Sequence, residues 1–257
     1  MVKAPTYAIL GRGRWARRMQ SVLTGEGRQF VEIPETRQES SENDEAYRER
    51  LAQRLRSSGA QIAWACVLPG PHVPQMVEAA LDAGLHMICE KPWWGSRSTT
   101  EPLTARAKSL RRVVAVHYEY CFLSEVERWR KEFSALPGLE FGGTFFLNRP
   151  NHTGMSALDN LGSHLLAIRE FVAPNAVLGE IRCGYEQPDE RSAWLKKSGQ
   201  PVAFLNLLEQ KELIIQRFLA AVEASLNTGA FPVDLEFGVR VGEQLAELAA
   251  KPHSGAV

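Results

Sequence analysis

Two short stretches of this 257-residue chain carry residue types at spacings that could do chemistry. The first is "CEKPWWGS", Cys89–Ser96, where Glu90, Lys91 and Pro92 follow the apolar run "LHMI". That run reads as the end of a buried strand, and strand ends with their following loops are where α/β proteins keep binding and catalytic groups. The competing reading is a solvated turn carrying a surface ion pair. The second stretch is Gly11-x-Gly13-x-x-Ala16, directly after one apolar run and before a helical pattern. Its spacing suits a turn that holds a dinucleotide. Gly11 makes the tight bend, Gly13 lets the backbone approach a pyrophosphate, and Ala16 lets the helix pack close to the strand. The amides and dipole of the helix start then favour phosphate charge. Such a fold places an acidic residue about 20 positions on, against the adenosine ribose. Glu35 stands there, and Arg37 beside it would suit a 2′-phosphate, so NAD and NADP both stay open. Arg12 and Arg14 add positive charge for either, with plain solvation as their alternative.

The elements that must position these residues follow from periodicity. "TYAIL", "QFVEI", "QIAWACVL", "LHMIC" and "RVVAVHYEY" read as five strands. The third is apolar on both faces and therefore covered on both. Between them lie helical patterns, one following the glycine turn. In another, Ser41–Gly59, Tyr47, Leu51 and Leu55 recur at i, i+4, i+8. The others are "VPQMVEAALDAG" and "PLTARAKSL", the last starting at Pro102. Strands alternating with helices, with no tight hairpin, require a parallel sheet with helices on both faces. After Tyr120 the rhythm changes. Helices are expected over 123–133, 157–172, 211–229 and 234–251, with a strand over 141–148 and weaker strands in "EIRCGY" and "PVAFLNL". The chain reads as an α/β domain over 1–120, a doubly wound parallel sheet, followed by a smaller α+β domain over 121–257 with a reduced sheet.

Composition bounds the partners. Thirty basic residues balance thirty acidic ones, so no global field favours nucleic acid or an anionic membrane. No apolar stretch approaches the roughly 18 residues of a spanning helix, and the N-terminal apolar run is too short for a signal peptide. Cys66, Cys89, Cys121 and Cys183 show no C-x-x-C spacing and read as reduced thiols of a cytoplasmic protein. His152, Asp159 and His164 lack metal-ligand spacing, and no nucleophile motif appears.

"AALDAGLHMICEKP" resembles the hallmark of the glucose–fructose oxidoreductase / inositol dehydrogenase (Gfo/Idh/MocA) family of NAD(P)-dependent oxidoreductases. "GRGRWA", "LPGPHVPQMVEAAL", "LGSHLLAI" and "GAFPVDLEFGVRVGEQLAELA" agree in order and spacing, so the resemblance runs from about residue 7 to residue 250. It implies a Rossmann domain followed by a substrate domain, and hydride exchange with a small polar substrate, sugar- or cyclitol-like or an imine. Lys91 would hydrogen-bond the substrate atom at the reacting carbon, Glu90 would orient Lys91, and Pro92 would fix the turn, with a cis peptide as one way to do so. His164 would be the general acid/base, and Tyr118 could supply a phenolic acid or simply pack. Cofactor contacts would come from Gly11, Gly13, Arg14, Trp15 and Ala16, from Glu35 and Arg37, and from Leu68, Pro69, His72, Glu90, Lys91 and Pro92. A helix-cap contact is the alternative for His72.

Three departures stand beside the resemblance. The family commonly has an aspartate four residues before the histidine, and here that position is Asn160, with Asp159 one residue off. On an α-helix Asn160 and His164 share a face, yet an amide cannot stabilise an imidazolium as a carboxylate does. Between Val172 and Lys211 there is room for only two or three strands, which leaves the family's homodimer contact open. "AVHYEYCF" replaces the arginine-containing segments that often follow the fifth strand. A dinucleotide-binding sensor or accessory protein without turnover is therefore the rival expectation.

Overall fold

The computed structural model describes residues 4–34, 36–210 and 213–250. In chain order they form β1 (Tyr7–Leu10), α1 (Arg14–Gly25), β2 (Phe30–Ile33), α2 (Asp44–Ser57), β3 (Ile62–Ala65), α3 (Val73–Asp82), β4 (His86–Cys89), α4 (Arg97–Ser109) and β5 (Val114–Val116). There follow α5 (Ser124–Phe133), β6 (Leu139–Leu147), α6 (Ser163–Val172), β7 (Val177–Tyr185), β8 (Glu190–Lys197), β9 (Gln200–Asn206), α7 (Ile214–Ser225) and α8 (Leu235–Ala250). The chain divides into two units. One runs to His117 and takes in Ile215–Val239, and the other comprises Tyr118–Ile214 and the chain from Arg240 on. Glu35, the expected starts of the 211–229 helix at Lys211 and Glu212, and Lys251 at the expected end of the last helix lie outside the described residues.

In the first unit the five strands are parallel and ordered β2-β1-β3-β4-β5. β1, β3 and β4 are buried along their whole length, as strands covered on both faces must be. The order reverses at β1, because the chain leaves it for β2 on one side and returns as β3 on the other. Ligands of open α/β sheets bind at such a switch point, beyond the strands' carboxyl ends. Register aligns those ends: Leu10 pairs with Ala65, Ala65 with Cys89, and Cys89 with Val116. Gly11, Cys66, Glu90 and His117 are thereby the next residues along one sheet edge.

Side-chain patterning accounts for the helices. α2 buries Tyr47, Leu51 and Leu55, and the Asn43 carboxamide accepts the Ala46 N–H at 2.8 Å. α4 starts five residues before the expected Pro102, because Ser96 caps it by accepting the Thr99 N–H. β3 and β5 are shorter than their apolar runs. β3 stops where its partner β1 stops, and after His117 donates to the Cys89 carbonyl (2.8 Å) the chain turns into a 3₁₀ turn, Glu119–Phe122. Tyr118 and Tyr120 are therefore not strand residues. The returning segment closes the β5 edge, where Val116 N–H donates to Val233 O at 2.9 Å. Glu223 on α7 accepts from Tyr7 Oη at 2.5 Å and Arg28 Nε at 2.8 Å. Burial, then that carboxylate, push the Tyr7 phenol far above its usual range.

His86, on β4, makes this unit acid-sensitive. Its Nδ1 accepts the Val113 backbone N–H at 3.0 Å, which requires that nitrogen to be unprotonated. Burial, and then the Arg112 charge, lower its pKa to about 4. The unfolded imidazole takes up its proton near pH 6.5 and the folded one resists. The stabilisation is complete above pH 6.5 and is lost as the pH falls from there towards 4, by up to about 3 kcal/mol. Melting temperatures measured across that window are expected to fall more steeply in the wild-type chain than in His86→Gln. Parallel curves would remove His86 from the account.

The second unit holds a sheet of order β7-β6-β8-β9, in which β6 and β7 are parallel and the other pairs antiparallel. Three strands thus fit between 177 and 206, the upper end of the expected number. β8, unread in the sequence, buries Ala193 and Leu195 between charged flanks that mask its alternation. The inner face, with Phe141, Phe145 and Leu205, is buried, as are Leu165, Leu166 and Ile168 of α6. The expected regular helix over 157–172 is instead a π-helical turn, Leu158–Gly162, followed by α6. The α-helical step of about 100° per residue, on which the shared face of Asn160 and His164 rested, does not hold through that turn.

Candidate active site

In the first unit, Gly11 has φ +113°, and a Cβ there would lie 2.9 Å from the Cys66 carbonyl oxygen. The backbone itself therefore requires glycine. Gly13 differs: its φ of −70° and ψ of 179° suit any residue, and among the described residues a Cβ would meet nothing within 4 Å. α1 begins at Arg14 with no side-chain cap among the described residues and no acid in its first turn, so its leading amides and dipole face outward. Ala16 is fully buried, as close helix–strand packing demands. Trp15 lies 6.0 Å from the His117 ring, and its indole N–H is buried without a hydrogen-bond partner among the described residues. Arg12 and Arg14 are exposed, and Arg37 is exposed beyond β2. Gly13, the uncapped helix start and the Trp15 N–H fit a pyrophosphate-bearing cofactor approaching this turn.

Glu90 is 9% exposed, which rejects the solvated surface pair. Its carboxylate accepts the Trp64 Nε1–H at 3.0 Å and lies 3.2 Å from His117 Nδ1. Lys91 is half-buried, the Lys91–Pro92 peptide is cis and Pro92 is buried. Trp93 is buried and donates to Thr100 Oγ1 at 2.8 Å, so it builds the loop, whereas Trp94 is 55% exposed. Leu68 is exposed and Pro69 half-buried in the loop after β3. His72 holds the N-cap position of α3, but its ring makes no capping hydrogen bond among the described residues, which corrects the cap reading. Its ring lies against Gly70, and burial lowers its pKa.

In the second unit, His164 is 7% exposed on the first turn of α6. Its ring stacks on Phe145 (centroids 5.3 Å, 16°) and meets Tyr120 edge-on (5.0 Å, 81°). Its Nδ1 is 4.0 Å from Glu119 Oε2. Tyr118 is fully buried, and the Tyr120 hydroxyl accepts from Arg191 Nη1 at 3.4 Å. The Asn160 amide donates to Tyr185 Oη and to Thr153 Oγ1. Sequence reasoning missed His117 and Glu119. The available signal was two ionisable residues, His117 and Glu119, inside an otherwise apolar and aromatic run, "AVHYEYCFL". Among the described residues no cluster of three or more His, Cys, Asp or Glu is placed to hold a metal, and no helix is long and apolar enough to cross a membrane.

Comparison with known proteins bears on the family and the fold. Residues 6–118 match a family model, GFO_IDH_MocA, described as an oxidoreductase family with an NAD-binding Rossmann fold. An uncharacterised oxidoreductase of Escherichia coli K12, YdgJ, is 38% identical over 76 residues, which is 28% of this chain. The match spans one fifth of that relative (20%). The chain is similar in structure to the UDP-N-acetylglucosamine 3-dehydrogenase GnnA of Acidithiobacillus ferrooxidans, with TM-score 0.74, 12% identity, and coverage of 96% of this chain and 97% of that one. It is also similar to an inositol dehydrogenase homologue of Azotobacter vinelandii solved with NAD+, with TM-score 0.65, 16% identity, and coverage of 95% and 94%. Identities this low show a common fold.

Proposed function

We propose that the chain, whose residues 6–118 match the Gfo/Idh/MocA oxidoreductase family with its NAD-binding Rossmann fold, is an NAD(P)-dependent dehydrogenase or reductase. Its substrate class in this reading is a small polar molecule, sugar- or cyclitol-like, with a reacting carbinol, carbonyl or imine carbon. The observation that carries the reading is Gly13. The fold has no need of glycine there, since backbone and surrounding space admit a side chain. A ligand that must come close to the chain does need it.

Gly11, Gly13, Arg14, Trp15 and Ala16 would hold the pyrophosphate end, with Leu68, Pro69 and His72 along the loop after β3. Glu35 and Arg37 would meet the adenosine ribose and set the preference between NAD and NADP. Bound there, the nicotinamide supplies or accepts a hydride. Lys91 donates a hydrogen bond to the substrate oxygen or nitrogen and stabilises negative charge as it develops. Glu90, fixed by Trp64 and His117, holds the neighbouring Lys91 in place. His164 takes or returns the substrate proton, with Tyr118 as a second donor. That the similar solved proteins are a UDP-N-acetylglucosamine 3-dehydrogenase and an inositol dehydrogenase homologue supports the substrate class.

Asn160, where the family commonly has aspartate, favours a second reading: a dinucleotide-binding sensor without turnover. Titration with NADH and NADPH, followed by a panel of sugars, nucleotide sugars, cyclitols and imines, separates the two. Binding with turnover of one panel class is the expected result. Tight binding with no hydride transfer to any would establish the sensor, and no binding would sink both.

A further inference from the structure

We infer that Glu119 is the positioning carboxylate of His164, standing in for the acid that Asn160 does not provide; the inference rests on the acid/base role proposed above. Both side chains are nearly buried, at 8% and 7% exposure, and Oε2 lies 4.0 Å from Nδ1. That is longer than a hydrogen bond and within ion-pair range, and unliganded catalytic contacts are commonly long. The two come from different elements, the 3₁₀ turn after β5 and the first turn of α6. With the carboxylate facing Nδ1, Nε2 is the nitrogen that exchanges the substrate proton. When Nε2 takes that proton the ring becomes imidazolium, and the fixed negative charge of Glu119 stabilises it where an amide cannot. Reversal returns the same proton.

The other charged and titratable groups around the ring act differently. Arg191, on β8, is bonded to Tyr120 Oη, and its guanidinium lies 5.2 Å from the Phe145 ring centroid, so its charge opposes imidazolium formation. Asp159, on the π turn, accepts from Ser156 Oγ at 2.7 Å. Arg130, on α5, covers Phe171 at the far end of α6. Burial raises the thiols of Cys121, which donates to the Ala167 carbonyl, and of Cys183, on β7, so both stay neutral. Glu119 is thus the group whose removal should destabilise the imidazolium.

The test is an NMR titration of the histidine rings in the full chain without substrate, so it needs no turnover. The His164 signal is assigned as the one of six histidines lost in His164→Gln. In Glu119→Gln its midpoint is expected to fall by about one pH unit, while Glu119→Asp keeps it near the wild-type value. The wild-type protein supplies a second reading that needs no variant: the Glu119 carboxylate carbon should show an inflection at the His164 midpoint. A displaced midpoint in a chain that reduces nothing would retain the pair and remove the enzyme. An unmoved midpoint in Glu119→Gln, or no inflection in the wild-type chain, would overturn the pair even in an active enzyme.

Discussion

Lys91→Met is expected to bind NADH with wild-type affinity and to lose hydride transfer by about a thousandfold in kcat/KM. The lysine is the second residue past the end of β4, next to Glu90 at the sheet edge that also carries Gly11, and precedes a buried proline joined by a cis peptide. A side chain so placed is held by the strand end rather than by a long loop. In the proposed role its amine would meet developing negative charge on the reacting atom, so its loss would act on the transition state more than on binding. Methionine keeps the stem's length and apolar contacts while deleting the donor. The fall should therefore appear in kcat, with little change in cofactor affinity. Steady-state kinetics on whichever panel substrate turns over, with NADH binding followed by fluorescence, checks both halves. Turnover of Lys91→Met at the wild-type rate would refute the assignment.

Two substitutions in one turn should fail in opposite ways. Gly11→Ala places a Cβ 2.9 Å from the Cys66 carbonyl oxygen, inside van der Waals contact, and asks an L-residue to hold φ +113°. The cost is about 3 kcal/mol, or roughly 5–10 °C in melting temperature for a chain of this size. Gly13→Leu places its side chain in space that the described residues leave open, with a backbone angle that leucine accepts readily. It should melt like the wild-type chain and bind dinucleotide about a hundredfold more weakly, equivalent to about 2.8 kcal/mol. Calorimetry and ligand titration of the two variants read the contrast. Unchanged affinity in Gly13→Leu would mean that the turn holds no pyrophosphate.

Local rules made much of this legible. The stop at Gly59, the α2 stripe of Tyr47, Leu51 and Leu55, and the both-faced apolar β3 each follow from a few neighbouring residues. Element ends were less legible, because they depend on partners. β3 ends at Ala65 because Leu10 ends β1, and α4 runs through Pro102 because Ser96 caps it further upstream. The π turn before α6 has no periodic signature, so Asn160 and His164 read as an ordinary helical pair.

What the sequence alone determined are the groups whose meaning is local: the glycine turn, the Glu-Lys-Pro strand end, and the alternation that demands a covered parallel sheet. Only the tertiary structure decided which acid serves which histidine. Glu90 and His117 meet across 27 positions because β4 and β5 end in register, and Glu119 reaches His164 because the chain turns away from β5 into a 3₁₀ turn. Spacing along a chain encodes faces of helices and strands, whereas contacts between elements depend on where each element stops. Those ends are settled by packing.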